Sequence, residues 1–298
     1  MLISGVTISN GVSLQVPQVS APAGQAEFIT PGTFSWTAPA GVTSVSVVCV
    51  GAGGGGCRQS STAASVTSGG NTYFISTDTV AGFGGLRGGA MSGTSGTLRA
   101  GYGAGGGYVG DGGGFGGNSY TGSGSNFYGG GGAAGYSGNG GDGGLGTGAA
   151  TVTIAGGNGQ GGGAGGGAWG QGGGVGIYGQ GTSGNGSPIA GSLNGTGFAR
   201  GGSFGGNGVQ YPNGSSAQGY RGGAYGGGGG GTYNINGGGG GLGWKNNISV
   251  TPGQSYTVVV GLGGATDGPN FSGNGGNGAA RIIWGVGRAY PSTNTANV

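Results

Sequence analysis

The sequence predicts an all-β frame, a small antiparallel β-sandwich, that carries a large glycine-rich insert forming a packed bundle of polyglycine II helices, with essentially no α-helix. Glycine is unevenly distributed: 81 of the 97 glycines lie in residues 51–247, whereas residues 1–50 contain five and residues 251–298 contain eleven. Apolar and polar residues alternate in the two flanking segments, which is typical of half-buried strands. The insert has no helical periodicity and in places carries a side chain only at every third residue.

The N-terminal part of the frame is predicted to form two strands and a turn. Phe34 and Trp36 lie on one face of the first strand, and proline and glycine in residues 39–41 mark the turn. The apolar face of the second strand consists of Val45, Val47 and Cys49. We therefore expect both strands to bury these faces in the sandwich.

The C-terminal part of the frame is predicted to supply three more short strands, over residues 248–250, 256–262 and 280–284. Five short strands are few for a stable sandwich. We therefore expect strands from residues 1–26, or from another subunit, to complete it. The two ends of the frame must also pair across the whole insert.

The predicted organisation has four parts. Residues 1–26 form an N-terminal anchor or oligomerisation segment, and residues 27–50 together with 248–286 form the sandwich. Residues 51–247 form the glycine-rich insert with variable loops, and residues 287–298 form a C-terminal tail.

The polyglycine prediction comes from a period of three within the insert. Residues 138–146 read GNGGDGGLG, with side chains only at Asn139, Asp142 and Leu145. Three residues per turn is the polyproline II geometry, which has no internal hydrogen bonds. Glycine at two positions of every three leaves two bare edges, so neighbouring helices can approach and pair their backbone groups.

Ordering a glycine costs about 0.5–1 kcal/mol more than ordering an alanine, and a hydrogen bond returns a net of about 0.5–1.5 kcal/mol. Such a bundle therefore needs nearly complete pairing and a nucleus, for which the β frame is the candidate.

Composition argues against several functions. The net charge of +3 comes from eight scattered basic residues, so we expect no nucleic-acid partner. With no histidine and few acids, we expect no metal, cofactor or enzymatic activity. No apolar stretch approaches the roughly 20 residues that span a bilayer, and we expect neither a signal peptide nor membrane insertion. Cys49 and Cys57 either bridge a short loop or remain thiols.

The framing segments carry a resemblance. Residues 28–56 (FITPGTFSWTAPAGVTSVSVVCVGAGGGG), 248–264 and 273–285 resemble the glycine-rich domain of tailed-phage virion proteins, and residues 281–295 (RIIWGVGRAYPSTNT) are similar to the ends of structural proteins from phages of marine cyanobacteria. A related resemblance is to the adhesins at the tips of T-even-like long tail fibres, in which layered polyglycine helices present variable loops. This resemblance implies a surface-exposed virion protein that recognises the host through its loops.

On this basis we expect a non-enzymatic tail-fibre or tail-tip adhesin for host attachment. The expected partners are other virion proteins, bound through the N-terminal segment, a host surface glycan or protein, and further copies of the chain in a homo-oligomer such as a trimer. The alternative is a capsid-surface decoration or fibre protein. An ice-binding protein and a depolymerase are more distant alternatives, the latter because paired carboxylates are hard to assemble from so few acids.

Loop aromatic residues and one arginine are the candidate receptor contacts, since aromatic rings with a polar group are common at interfaces. The alternative is that these residues seal the ends of the bundle or pack against another subunit. The candidates are Tyr73, Phe74, Tyr120, Phe127, Tyr128, Tyr211, Tyr220, Tyr233 and Arg221. Arginines near loop boundaries could instead bond carbonyls left over at helix ends, namely Arg58, Arg87, Arg99, Arg200 and Arg221.

Overall fold

A computed structural model of the chain describes residues 21–56, 66–88, 103–120, 126–147, 151–167, 170–187, 199–208, 221–230, 236–266, 273–292 and Thr295. Within these ranges the secondary structure consists of thirteen strands, without a helix. The strands are β1 (Gly24–Phe28), β2 (Gly32–Thr37), β3 (Ser44–Val50), β4 (Thr72–Phe74), β5 (Val80–Gly82), β6 (Tyr108–Val109), β7 (Gly112–Gly114), β8 (Asn126–Tyr128), β9 (Leu145–Thr147), β10 (Thr151–Ile154), β11 (Leu242–Ser249), β12 (Ser255–Val260) and β13 (Ala279–Trp284).

Two five-stranded antiparallel sheets form the frame. The first sheet has the strand order β1-β13-β3-β11-β7, and the second has the order β2-β12-β4-β5-β6. A separate three-stranded sheet has the order β10-β9-β8. The prediction of an all-β frame is confirmed. So is the prediction that the two ends pair across the insert, because β3 lies between β11 and β13 and β2 pairs with β12.

The strands that complete the two sheets differ from those expected. Strands β4 to β7 come from within the predicted insert and widen both sheets. Their short length and glycine content, as in Gly112–Gly114, gave no recognisable alternation. Strand β1 crosses the predicted boundary at residue 26 and pairs with β13. Residues 1–20, the rest of the predicted anchor, lie outside the described residues.

Large side chains fill the space between the two five-stranded sheets. Trp36 lies at the centre, with ring centroids 5.9 Å from Phe74, 6.2 Å from Tyr256 and 5.8 Å from Trp284. Phe74 is 0 % exposed. Full burial of one such side chain contributes about 1.5–3 kcal/mol, so this cluster anchors the frame.

The first sheet is covered on its other face as well. Val48 and Val50 of β3 point away from the sandwich core, yet both are fully buried. They pack in a second cluster with residues of the insert, including Tyr136 and Ile177. The alternation predicted for β3 is therefore too simple, because both of its faces lie in a core. The glycine-rich region is built on this sheet, as expected of a nucleus.

The glycine segments, meaning the described glycine-rich stretches of the insert with residues 261–266 and 273–278, are joined by backbone hydrogen bonds that recur every three residues. Residues 129–135 illustrate the pattern, because successive N–H groups donate to three different neighbours. Gly129, Gly132 and Gly135 donate to Gly144, Gly141 and Gly138, Gly130 and Ala133 to Gly170 and Gly173, and Gly131 and Ala134 to Gly237 and Gly240.

Neighbouring glycine segments approach too closely for a side chain to fit between them. A Cβ added to Gly141 would overlap the carbonyl oxygen of Gly157, and one added to Gly131 would overlap that of Gly117. Each carbonyl oxygen occupies the position that a Cβ would need. Only glycine therefore permits this packing.

Polar side chains accept hydrogen bonds from backbone N–H groups along one outer row of glycine segments. Asp142 Oδ1 accepts a hydrogen bond from the N–H of Asn118 at 2.7 Å. Three residues earlier, Asn139 Oδ1 accepts one from Phe115 at 3.0 Å. The side chain takes the place of the carbonyl that a further segment would supply. These residues thus satisfy N–H groups at the edge of the packed region.

Candidate functional site

An ion pair lies on the seam between the first sheet and the glycine segments. The antiparallel register of β1 and β13 places Glu27 directly opposite Arg281, so that the two side chains share one face. Arg281 Nε lies 3.3 Å from Glu27 Oε1, and the arginine side chain is 0 % exposed. A buried cation requires a partner of this kind, because leaving it unpaired is costly.

Tyr178 of the insert covers this ion pair. Its hydroxyl donates a hydrogen bond to Glu27 Oε2 at 3.0 Å, and Arg281 Cζ lies 4.3 Å from the centre of its ring. The ring face attracts the guanidinium. Burial and the hydrogen bond to the Glu27 carboxylate raise the pKa of the Tyr178 phenol. Tyr178 nevertheless remains 37 % exposed, so the cluster reaches the protein surface.

The C-terminal segment also packs between the first sheet and the glycine segments, through Tyr290. The ring of Tyr290 stacks on that of Tyr136 at a centroid distance of 5.8 Å. Tyr136 is fully buried, and its hydroxyl donates to Gly176 O at 3.1 Å and accepts from Gly179 N at 3.1 Å. Burial raises the pKa of both phenols well above the ordinary tyrosine value. Residues 287–298, predicted as a tail, therefore contribute a packed part of the structure through Tyr290.

A cleft of approximately 410 Å³ opens beside this seam. The β1–β2 turn forms one wall of the cleft. The glycine segments that contain Arg221, Leu262 and Asn274 form the other walls. Two apolar side chains at its rim are unusually exposed, Ile29 by 48 % and Leu262 by 65 %. The side chains that line the cleft are Ile29, Arg221, Tyr225, Leu262, Asn274 and Asn277, together with Ala224.

Two asparagine side chains are among the polar groups of the cleft. Asn277 Oδ1 accepts from Gly263 N at 3.0 Å, and Asn274 Oδ1 accepts from Thr266 N at 3.0 Å. Their NH₂ groups remain as donors at the wall. Burial and the nearby carboxylate of Glu27 raise the pKa of the Tyr225 phenol.

Arg221 adds an exposed guanidinium to the cleft, and the described residues supply it with no hydrogen-bond or ion-pair partner. No carboxylate stands among the described residues that line the cleft. The cleft can therefore hold an anionic group near Arg221 while an apolar face of the same ligand contacts Ile29 and Leu262.

Three carboxylates described elsewhere, those of Glu27, Asp111 and Asp142, have structural partners. Asp111 Oδ2 accepts from the N–H of Asn246 at 2.9 Å, in addition to the Asp142 and Glu27 contacts above. Within the described ranges, no three His, Cys, Asp or Glu side chains come close enough together to hold a metal ion. The described ranges also contain no helix that is long and apolar enough to cross a membrane.

The structure places the predicted receptor contacts in different environments. Phe74 is wrong as a candidate, because β4 places it in the sandwich core, where no receptor can reach it. Tyr73 and Tyr120 are half-buried. Arg221 lies in the cleft. Phe127 and Tyr128 belong to β8, with side chains outside the description, and Tyr211, Tyr220 and Tyr233 lie outside the described residues altogether.

Two further expectations can be compared with the structure. Cys49 is a buried free thiol, and burial raises its pKa; Cys57 lies outside the described residues. The expected capping of leftover carbonyls holds for Arg87, whose Nη1 donates to Val66 O at 3.3 Å. The other arginines predicted near loop boundaries show no such bond among the described residues, and Arg58 and Arg99 lie outside them.

Sequence reasoning missed the seam. Neither Glu27 nor Arg281 was predicted to have a functional role. The available signal was an arginine within the apolar strand sequence ARIIW, since a charged residue in a buried strand requires a partner.

No family model, curated protein or solved structure matches the chain.

Proposed function

We propose that this chain is a non-enzymatic structural protein of a tailed-phage virion, exposed on the particle, that serves as a host-attachment adhesin at a tail fibre or tail tip. The observation that carries the proposal is how the insert joins the frame. Gly114 at the end of β7, the last of the insert strands that belong to the frame sheets, pairs with Leu242 at the start of β11. Residues 115–241 thus leave and re-enter the frame at adjacent positions, and this part of the insert can vary while the frame stays the same.

The glycine segments in this proposal are polyglycine II helices packed into a bundle. Hydrogen bonds to one neighbour recur every three residues, and three successive N–H groups point to three neighbours. A helix with three residues per turn produces this pattern, whereas a strand repeats every two residues and an α-helix bonds within itself. The close approach at Gly131 and Gly141 supports the same geometry.

This architecture suits host recognition, because the rigid part uses almost no side chains. Loop sequences between glycine segments can change without disturbing a core of backbone contacts. Binding residues commonly lie on loops held by a rigid scaffold. The resemblance of the framing segments to phage glycine-rich domains supports the same conclusion.

The location can be tested on intact particles with gold-labelled antibody against the purified protein. We expect labelling at the distal end of the tail. Labelling confined to the capsid would instead favour a decoration protein. A second measurement is adsorption of the purified protein to host cells before and after removal of surface polysaccharide. Adsorption that depends on an intact cell surface supports attachment, and absence of adsorption contradicts it.

The bundle can be tested separately by amide hydrogen exchange. Because N–H groups of residues 129–135 are bonded to neighbouring segments, we expect them to exchange far more slowly than unstructured glycine amides. Uniformly fast exchange across the described glycine segments would contradict the bundle.

A further inference from the structure

We infer that the cleft lined by Arg221, Ile29 and Leu262 binds an acidic saccharide, meaning a sugar that carries a carboxylate or sulfate group. This inference rests on the proposed function and specifies the class of host molecule that is bound. The ligand would sit between the β1–β2 turn of the sandwich and the glycine segments.

The charge of the ligand follows from the polar groups of the cleft. Arg221 is exposed and lacks a described partner, and the Oδ1 atoms of Asn274 and Asn277 are already engaged. The NH₂ groups of both asparagines are donors, which match acceptor oxygens of a ligand. A guanidinium binds carboxylate or sulfate oxygens through two parallel hydrogen bonds. An anionic group is therefore the complement of Arg221.

The apolar rim specifies the rest of the ligand. Ile29 and Leu262 both line the cleft and expose large aliphatic side chains. A sugar ring has apolar C–H faces that can contact such side chains, together with hydroxyl groups that can accept from amide donors. The volume lies near the lower end of the range of about 300–1,000 Å³ for small-molecule sites. This space suits a short stretch of oligosaccharide.

The inference can be tested by calorimetric titration of the full chain at low salt with trigalacturonate, a sulfated heparin disaccharide and neutral maltotriose. We expect one or both acidic sugars to bind and maltotriose not to bind. Higher salt should weaken binding, because the exposed ion pair is screened. Equal binding of maltotriose, or no binding of either acidic sugar, would overturn the inference.

Substitutions locate the binding. Arg221→Ala should weaken binding by at least about tenfold, as expected for loss of a charge-assisted bidentate contact, and Arg221→Lys should have an intermediate effect. Leu262→Ser should also weaken binding. The matched control is Arg200→Ala, which removes the same charge from another exposed arginine and should leave affinity unchanged. Equal losses in the Arg221→Ala and Arg200→Ala variants, or no loss in Leu262→Ser, would show nonspecific charge attraction and overturn the inference.

A glutamate-rich peptide of equal charge provides the competing ligand class. If it binds as tightly as trigalacturonate, the cleft recognises anions in general and the saccharide assignment is wrong. Cell adsorption separates this inference from the proposed function. Adsorption that Arg221→Ala leaves intact, with no binding of acidic sugars, contradicts the cleft alone. Binding of trigalacturonate without adsorption to cells contradicts the attachment role alone.

Discussion

The sandwich and the glycine segments both pair their backbones through hydrogen bonds but use opposite means of filling space. Between the two sheets, side chains such as Trp36 and Phe74 occupy the interior. Between glycine segments, a carbonyl oxygen lies where a side chain would begin, as Gly157 O does beside Gly141. The first region is held mainly by burial of apolar surface. The second depends on complete hydrogen bonding at close approach, so the two should respond differently to substitution.

The largest expected effect is that of a side chain added between glycine segments. Gly141→Val and Gly144→Val each place atoms against a neighbouring carbonyl, that of Gly157 or Ile154. The Gly157 carbonyl cannot retreat without breaking the hydrogen bond that it accepts from Gly166 N. We expect both variants to lose cooperative folding of the glycine segments, a loss on the order of the 5–15 kcal/mol that stabilises a domain. Thermal unfolding followed by calorimetry measures it.

The control for these variants is Gly170→Val, because a Cβ at Gly170 meets no other atom within 4 Å. Its stability should change by only about 0.5 kcal/mol, as for most surface substitutions. If Gly141→Val and Gly170→Val have the same melting temperature, close packing of the glycine segments is not what the structure depicts.

The sandwich should tolerate a change of shape that the glycine segments cannot. Phe74→Ala removes a fully buried ring next to Trp36 and should cost about 3–5 kcal/mol. Phe74→Leu keeps most of the volume and should cost less than about 1.5 kcal/mol. Urea unfolding compares the two variants. Similar losses for both would mean that this core is as intolerant as the glycine packing.

The same contrast explains how much could be predicted from the sequence. Alternation around Phe34 and Val258 identified frame strands, since side-chain periodicity records which face is buried. Glycine has no side chain, so the sequence cannot say which segments are neighbours or that Gly112–Gly114 is a strand.

For the candidate site, Arg221 was predicted from its position beside a loop, and the other residues of the cleft were missed. Ile29, Tyr225 and Leu262 come from three separate parts of the chain and meet only through the packing of segments. The pairing of Glu27 with Arg281 likewise requires the register of β1 on β13. Local patterns do not contain this register.

Alkaline pH should lower the stability of the packing between the first sheet and the glycine segments, where Tyr136 and Tyr290 are buried. Burial raises the pKa of Tyr136 and Tyr290, so the folded chain keeps protons that the unfolded chain releases near pH 10. Stability should therefore be unaffected by these groups below about pH 9 and should fall above about pH 10, by at most about 1.4 kcal/mol per phenol per pH unit.

Urea unfolding at several pH values from neutral to alkaline measures this slope, and phenolate absorbance reports the ionisation. Tyr136→Phe should flatten the decline above pH 10, although it should lower stability at pH 7 by removing the hydrogen bonds to Gly176 and Gly179. An unchanged alkaline slope in this variant would show that Tyr136 does not remain protonated in the fold.

The smallest effect is expected at the edge of the glycine segments, where a side chain replaces a neighbouring carbonyl. Asp142→Ala removes the acceptor for the N–H of Asn118 and should cost about 1 kcal/mol, the net value of one hydrogen bond. Asp142→Asn keeps an oxygen at the same position and should be nearly neutral in urea unfolding. If both variants lose the same stability, the charge of Asp142 matters rather than its oxygen. If neither loses stability, water replaces the acceptor, and the edge then differs from the interior, where no substitute for a carbonyl can enter.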